Sequence, residues 1–312
     1  MLILLWRIMR RSGRESNLGR RRQPVFAQAP AGVRLTNRLR VFYDAPMEAP
    51  SAERFDIALN TPAGRLNTVL DVPTGFIPIT SIVSLTRRLG EEMLKLEEHQ
   101  SRDAGQSISC RMGCAACCRM LVPLSPPEAF ALREYIEQLP QDRQASIVQR
   151  IADSKAVLAS EGLLDRLEAV ADATTPIPDE DLEPLNRAYY ALRHPCPFLE
   201  NEICSIYEAR PAACRELLVT SPAELCDNLA ENPVQPVPVS VRIGTVLGLL
   251  WASLTTTSAR LIPLPLALDW AAQHRDDATQ AWAGSYLIDH MLDTMWRFLS
   301  QEFERRGQSP RP

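Results

Sequence analysis

The spacing of apolar residues changes along the chain, and each change marks a new element. Phe55, Ile57 and Leu59 alternate with polar or small residues, as do Leu66, Thr68, Leu70 and Val72 after Pro62-Ala63-Gly64. A period of two on both sides of a turn predicts a small β-hairpin. Ile82, Leu85, Leu89, Met93 and Leu96 then recur every three or four residues. This predicts a helix from a Thr80 or Ser81 cap to about residue 99, weakened slightly by Gly90. Ser125-Pro126-Pro127-Glu128 is a capping-box pattern with prolines in the first turn, so a helix should run to about residue 138. Helices over about 141–161, ending at Gly162, and over 163–171 follow from the same periodicity. Residues 174–181 form a polar, proline-bearing connection, and 185–192 read as helical. After an extended proline-rich stretch at 233–238, helices are expected over 241–258, 266–274 and about 276–305. On the last, Ile288, Leu292, Met295, Leu299 and Phe303 share a face; Trp282 and Trp296 add bulk and read as core.

The chemistry is concentrated in the cysteines. All eight lie between positions 110 and 226: Cys110, Cys114, Cys117 and Cys118 in one group, and Cys196, Cys204, Cys214 and Cys226 after it. Buried cysteines acting as small hydrophobes would be scattered. A disulfide framework fits poorly with a long helical chain lacking a secretory signal and carrying an adjacent pair. Metal is the better reading. The first group reads C-x3-C-x2-C-C; on a helix these positions share one face, and on a loop Cys114 and Cys117 are spaced to close on one metal. Cys117 and Cys118 are neighbours whose side chains should diverge. They suit different metal atoms, in a cluster or in two adjacent sites, better than one tetrahedral ion.

The second group lies in a compact block: Cys196-Pro197-Phe198-Leu199, then Cys204-Ser205-Ile206-Tyr207-Glu208-Ala209-Arg210-Pro211, ending in Cys214-Arg215. Together with the first four cysteines and Arg119, this block resembles the YkgJ-like cysteine-cluster family of zinc- or iron-chelating CxxCxxCC domains. The resemblance covers roughly positions 105–230 and implies a bound metal or iron–sulfur centre without a defined reaction. Three residues separate Cys110 from Cys114 where the family label has two, which makes Cys110 the least typical ligand.

All-thiolate sites serve zinc and iron–sulfur clusters alike. The adjacent pair and the number of thiols favour an iron–sulfur cluster; zinc would instead fill two closed tetrathiolate sites of structural character. His194, two residues before Cys196, is a spare candidate ligand, though a surface residue before a turn is the plainer reading. Arg119, Arg210 and Arg215 flank cysteines, where positive charge would favour thiolates. Phe198 and Tyr207 are placed to shield the centre from water.

Charge is divided. Residues 1–40 hold ten arginines against one acid, Glu15, about +9, which leaves about −13 elsewhere in a chain of net charge −4. An acidic body argues against nucleic-acid binding. The arginine-rich stretch reads as a disordered tail in preference to an organellar transit peptide, with Met47 as an alternative start. The first six residues are apolar but too few to span a bilayer, and residues 243–254 read as a buried helix. No membrane association is expected, and the cytoplasm is the default compartment, where thiols stay reduced. The chain carries no dinucleotide or Walker phosphate loop. Lys95 and Lys155 are its only lysines.

The expected fold is mainly α: a helical domain organised around a cysteine-ligated metal centre, with a small N-terminal β-hairpin. Its parts are the tail (1–50), the hairpin and lead-in helix (51–104), the cysteine domain with a helical insert (105–232), and C-terminal helices on the same core (233–312). The function expected is metal or iron–sulfur binding with a structural, sensory or electron-transfer role, and a protein partner is conceivable. Catalysis is left open. One alternative is a protein-modifying transferase, because some proteins with such cysteine clusters are similar to flagellin lysine N-methylases; another is a structural two-zinc interaction protein.

Overall fold

The computed structural model describes residues 52–229 and 231–308. The expected tail, with its transit-peptide and Met47 alternatives, falls outside them. Strands β1 (Ala52–Thr61) and β2 (Gly64–Pro73) form the hairpin, paired antiparallel from Ala52↔Pro73 to Thr61↔Gly64. The alternation does what it predicts, sending Ile57, Leu66, Leu70 and Val72 inward.

After the short strand β3 (Phe76–Pro78) comes α1 (Thr80–Asp103), which buries Ile82, Val83, Leu89 and Met93. Gly90 has a packing role that its propensity hides. A Cβ there would lie 2.3 Å from the Ile243 side chain, so only glycine lets α1 approach the helix carrying Ile243 this closely. Then follow β4 (Pro123–Leu124), α2 (Pro126–Glu137), α3 (Gln141–Ser160), α4 (Leu164–Asp172) and α5 (Asp179–Ala191). The last begins six residues earlier than the periodicity indicates. Asp179, Glu180 and Asp181 occupy its first turn, where the helix dipole favours acids.

The second cysteine block is nearly devoid of long elements. Strands β5 (Leu199–Glu200) and β6 (Ile203–Cys204) make a miniature hairpin, and α6 (Ala212–Arg215) is a single turn. Asn201 and Glu202 both take positive φ, 51° and 61°, the signature of the tight two-residue turn that matches strand twist. Next come α7 (Ile243–Thr255), β7 (Ile262–Pro263), which pairs with β4, and α8 (Ala267–Gln273).

The single terminal helix expected from about 276 is broken. A turn, α9 (Arg275–Ala278), is followed by β8 (Ala281–Ala283), and only then by α10 (Gly284–Arg305). The cause is tertiary: β8 pairs antiparallel with β3, and Gly284 N–H donates to Gly75 O at 3.0 Å. Strand pairing outweighs the helical propensity of the intervening residues.

One apolar core runs through these elements from Ile57 to Phe303. At its middle the Phe130 ring sits 5.5 Å from Trp251 and 5.4 Å from Trp270. The end of α10 is tied to α1 through Arg306, which donates to the buried Glu97 at 2.8 Å and to Glu302 at 2.7 Å. A smaller satellite core holds Met120, Val219, Cys226, Leu229 and Val234. No helix among the described residues is long and apolar enough to cross a membrane.

Candidate metal centre

The first cysteine group is a loop. Cys114 N–H donates to Arg111 O at 3.0 Å, closing a turn in which Gly113 has φ of 83°. Only a residue without Cβ holds that conformation cheaply. This turn takes up the extra residue between Cys110 and Cys114. Cys117 and Cys118 follow in a 3-10 turn, Ala116–Arg119. Both of their thiols are partly buried.

The second group is delivered by the β5–β6 hairpin and α6. Cys196 N–H donates to Cys118 O at 2.7 Å, which joins the two groups directly. Arg119 donates to both oxygens of Glu202, at 3.1 and 2.8 Å, and so binds the 3-10 turn to the β5–β6 turn. Segments some 80 residues apart in sequence are thereby brought together.

Cys214 rests on the most elaborate support. The amide of Ala212, at the start of α6, donates to Glu128 at 2.8 Å. Glu128 is fully buried, pairs with Arg87 at 3.3 Å, and with its other oxygen accepts from Ser125 N–H and Oγ. The capping-box glutamate of α2 therefore also anchors the turn carrying Cys214. Past it, Glu216 accepts from Ile243 N–H at 2.6 Å. Arg215 binds Glu91 of α1 and the carbonyls of Glu208 and Arg210.

Cys226 sits in a 3-10 segment, Ala223–Asn228. Tyr190 on α5 fixes it: the phenol lies 2.9 Å from the carbonyls of Cys226 and Asp227 and accepts from Leu229 N–H. Nothing in the sequence marked Tyr190, Arg87 or Glu128 as supports of the cysteines, because their partners are long-range.

The eight cysteines are free thiols. Burial pushes those of Cys196 and Cys226 up, to about 12 and about 11, and raises Cys110, Cys204 and Cys214 as well. Cys117 is raised first by the neighbouring Cys118 thiol and then by burial. Opposing this, Val219 N–H donates to Cys110 at 3.4 Å, and the Phe198 and Ile206 amides favour the thiolates of Cys196 and Cys204. Arg210 also favours the thiolates of Cys117, Cys204 and Cys214, and Arg215 that of Cys204. Arg215 is chiefly an anchor, and Arg119 is engaged by Glu202.

Other expectations divide. Phe198 is buried against the core, whereas Tyr207 is 45% exposed and lies under the Arg210 guanidinium at 4.0 Å, so it shields little. His194 bonds Ser154 at 2.9 Å.

Packing divides six of the thiols between the two cores, while charge influence reaches across that division through Cys117. Cys226 feels Cys110 and Cys114; Cys214 feels Cys196 and Cys204; Cys117 acts on both sets. Cys196, Cys204 and Cys214 pack on the main core, Cys110, Cys117 and Cys226 with the satellite. Beside Cys114 a cleft of about 340 Å³ opens, lined also by Arg111, Arg119, Arg193, Glu202 and Asp227. Among the described residues no group of three or more His, Cys, Asp or Glu side chains has the close arrangement of a metal site. The donor chemistry suits zinc or iron all the same: eight free thiols, with an N–H donor on Cys110 and guanidinium charge that favour the thiolate, the ligating form.

No curated protein and no solved structure matches the chain. Residues 109–231, which hold all eight cysteines, match the family model "CxxCxxCC: Putative zinc- or iron-chelating domain".

Proposed function

We propose that the cysteine domain binds metal through its thiolates and that the centre is iron–sulfur in kind, serving a structural, sensory or electron-transfer role. The observation that supports metal binding is the joining of the two cysteine-bearing segments by Cys196 N–H on Cys118 O at 2.7 Å, with Val219 N–H donating to Cys110 Sγ at 3.4 Å. An N–H donor has little use beside a neutral thiol and stabilises a ligating thiolate. Cys110, Cys114, Cys117, Cys118, Cys196, Cys204, Cys214 and Cys226 are the proposed ligands. Preference for iron–sulfur rests on the eight thiols and on the adjacent pair Cys117 and Cys118. Sulfide-bridged irons accept neighbouring sulfurs more readily than a lone tetrahedral ion does. When bound, such a centre supplies one-electron chemistry or a rigid crosslink; this chain's residues hold it, screen it with Phe198 and offset its charge with Arg210.

Zinc is the second reading. The two sets of thiols favour it, since a pair of tetrathiolate ions would use all eight. Protein purified without oxygen decides between them. Brown protein with acid-labile sulfide, bleached by air, is expected; colourless protein with stoichiometric zinc, made with iron available, overturns the iron–sulfur assignment. The transferase alternative has no support among residues outside the cysteine region, and absence of S-adenosylmethionine binding to the loaded protein removes it. An acidic body and a cysteine centre suit a protein partner and not nucleic acid, with the cytoplasm as the proposed compartment.

A further inference from the structure

We propose that the cleft beside Cys114 binds a small zwitterion, a molecule such as a free amino acid or dipeptide that carries one carboxylate and one ammonium. No thiol serves as a ligand for it, so the site stands or falls apart from the metal reading. At about 340 Å³ the cleft lies at the lower end of the roughly 300–1,000 Å³ of small-molecule sites.

Its charged walls come from separate segments: Arg111 and Arg119 from the first cysteine loop, Arg193 from the chain after α5, Glu202 from the β5–β6 turn, and Glu224 and Asp227 from the 3-10 segment of Cys226. Three guanidiniums face three carboxylates, yet only one pair is closed. Arg119 donates to both oxygens of Glu202, at 3.1 and 2.8 Å, and to Ala115 O at 3.0 Å. Arg193 and Asp227 stand 3.6 Å apart, an ion pair too long for a hydrogen bond. Nη1 of Arg193 is buried with no partner, a state that costs free energy until something fills it. Arg111 and Glu224 are exposed and make no hydrogen bond or ion pair with any described residue.

Arg193 is also held in place without using its donors. Its backbone takes φ of 51°, a left-handed conformation uncommon outside glycine. Its guanidinium lies 4.8 Å from the centre of the Tyr190 ring, and the Tyr190 hydroxyl is itself fixed on the carbonyls of Cys226 and Asp227 at 2.9 Å. Stacking of this kind orients the planar fork while leaving N–H groups to take a carboxylate.

The sign of the charges selects the ligand. An anion alone would meet Glu224 and Asp227, and a cation alone would meet Arg111 and Arg193. A molecule that carries both signs and no net charge satisfies the two kinds of wall together.

The test is calorimetric titration of the full chain, as purified, with alanyl-alanine, its N-acetyl form and its C-terminal amide. Saturable binding of the dipeptide with a dissociation constant below about 10 mM is expected, weakened at least about tenfold by either block. The acetyl block should cost far less in Glu224→Gln, and the amide far less in Arg111→Ala, because each variant has already removed the partner of the blocked group. Both side chains are exposed and unpaired, so the variants should melt with the parent; should one fail to fold, the three peptides on the parent still decide. No saturable binding of the dipeptide, or equal binding of blocked and unblocked forms, overturns the proposal. So does sensitivity to one block alone, which marks a simple ion site, or a block that costs as much in its matched variant as in the parent. Metal content, measured separately, bears on none of these outcomes.

Discussion

The two sets of thiols are held by different means. Cys196, Cys204 and Cys214 sit on a scaffold complete without them. Glu128 holds the Ala212 amide, Arg215 reaches Glu91, Glu216 receives the Ile243 N–H, and a short hairpin sets Cys204. Cys110, Cys114 and Cys226 lie on loops, held by Tyr190, Val219 and a five-residue satellite core, with a cleft beside Cys114. The lesson is that one set is held by side chains of the main core, whereas the other would take its final shape from the metal proposed for it.

Metal removal should expose this difference most strongly. In stripped protein, amide exchange across residues 217–237 should rise by at least roughly tenfold, the effect of losing ~1.4 kcal/mol of local stability. Amides of α1, α2, α7 and α10 should stay protected. Equal loss of protection in both regions would erase the distinction.

Glu128→Ala attacks the preorganised side. It leaves the Arg87 charge without its partner and the Ala212 amide without its acceptor, at a cost of about 3–5 kcal/mol. Urea unfolding measures this. Metal affinity should fall as well, and unchanged affinity would contradict the assignment of Glu128 to the Cys214 turn.

Gly113→Ala attacks the other side. A Cβ at φ of 83° costs roughly 1–2 kcal/mol, with nothing nearby for it to clash against. Metal affinity, read by competition with a chelator, should fall about tenfold.

The smallest effect concerns the β5–β6 hairpin. Arg143 and then Arg150 hold the Glu200 carboxyl down to about 2. A depressed acid stabilises the fold above its unfolded value and loses that contribution as pH falls through its folded value. Glu200→Gln should therefore lower stability near neutrality by less than ~1 kcal/mol, since the pair is partly solvated. The gap between parent and variant should close as pH drops from about 4.5 to about 2. A gap independent of pH would mean that packing, not charge, is lost.

Local patterns were legible wherever their cause is local. The alternation at Ile57, Leu66 and Leu70, the period of α1 and the Ser125 cap all reappear in the fold, because a hairpin or an amphipathic helix is written within a dozen residues. The break before α10 was not legible: Trp282 is drawn into a strand by Ile77, some two hundred residues away. The cysteines announced themselves by spacing. Their division did not, since it depends on which core each packs against. The adjacent pair shows the limit well: its spacing says nothing of the 3-10 turn, Ala116–Arg119, on which Cys117 and Cys118 sit.

The helical insert between the cysteine groups has a consequence in time. Cys226 follows Cys118 by 108 positions, and synthesis at about 5–20 residues per second separates their appearance by roughly 5–20 s. Over the first 78 of those positions, as far as Cys196, the first four thiols have no counterpart to close on. The proposed site cannot be finished co-translationally before Cys226 emerges, so an oxidant reaching the nascent chain would meet an adjacent thiol pair at its most exposed. The yield of loaded protein should therefore depend on how fast α2 to α5 are made as well as on how much metal is at hand.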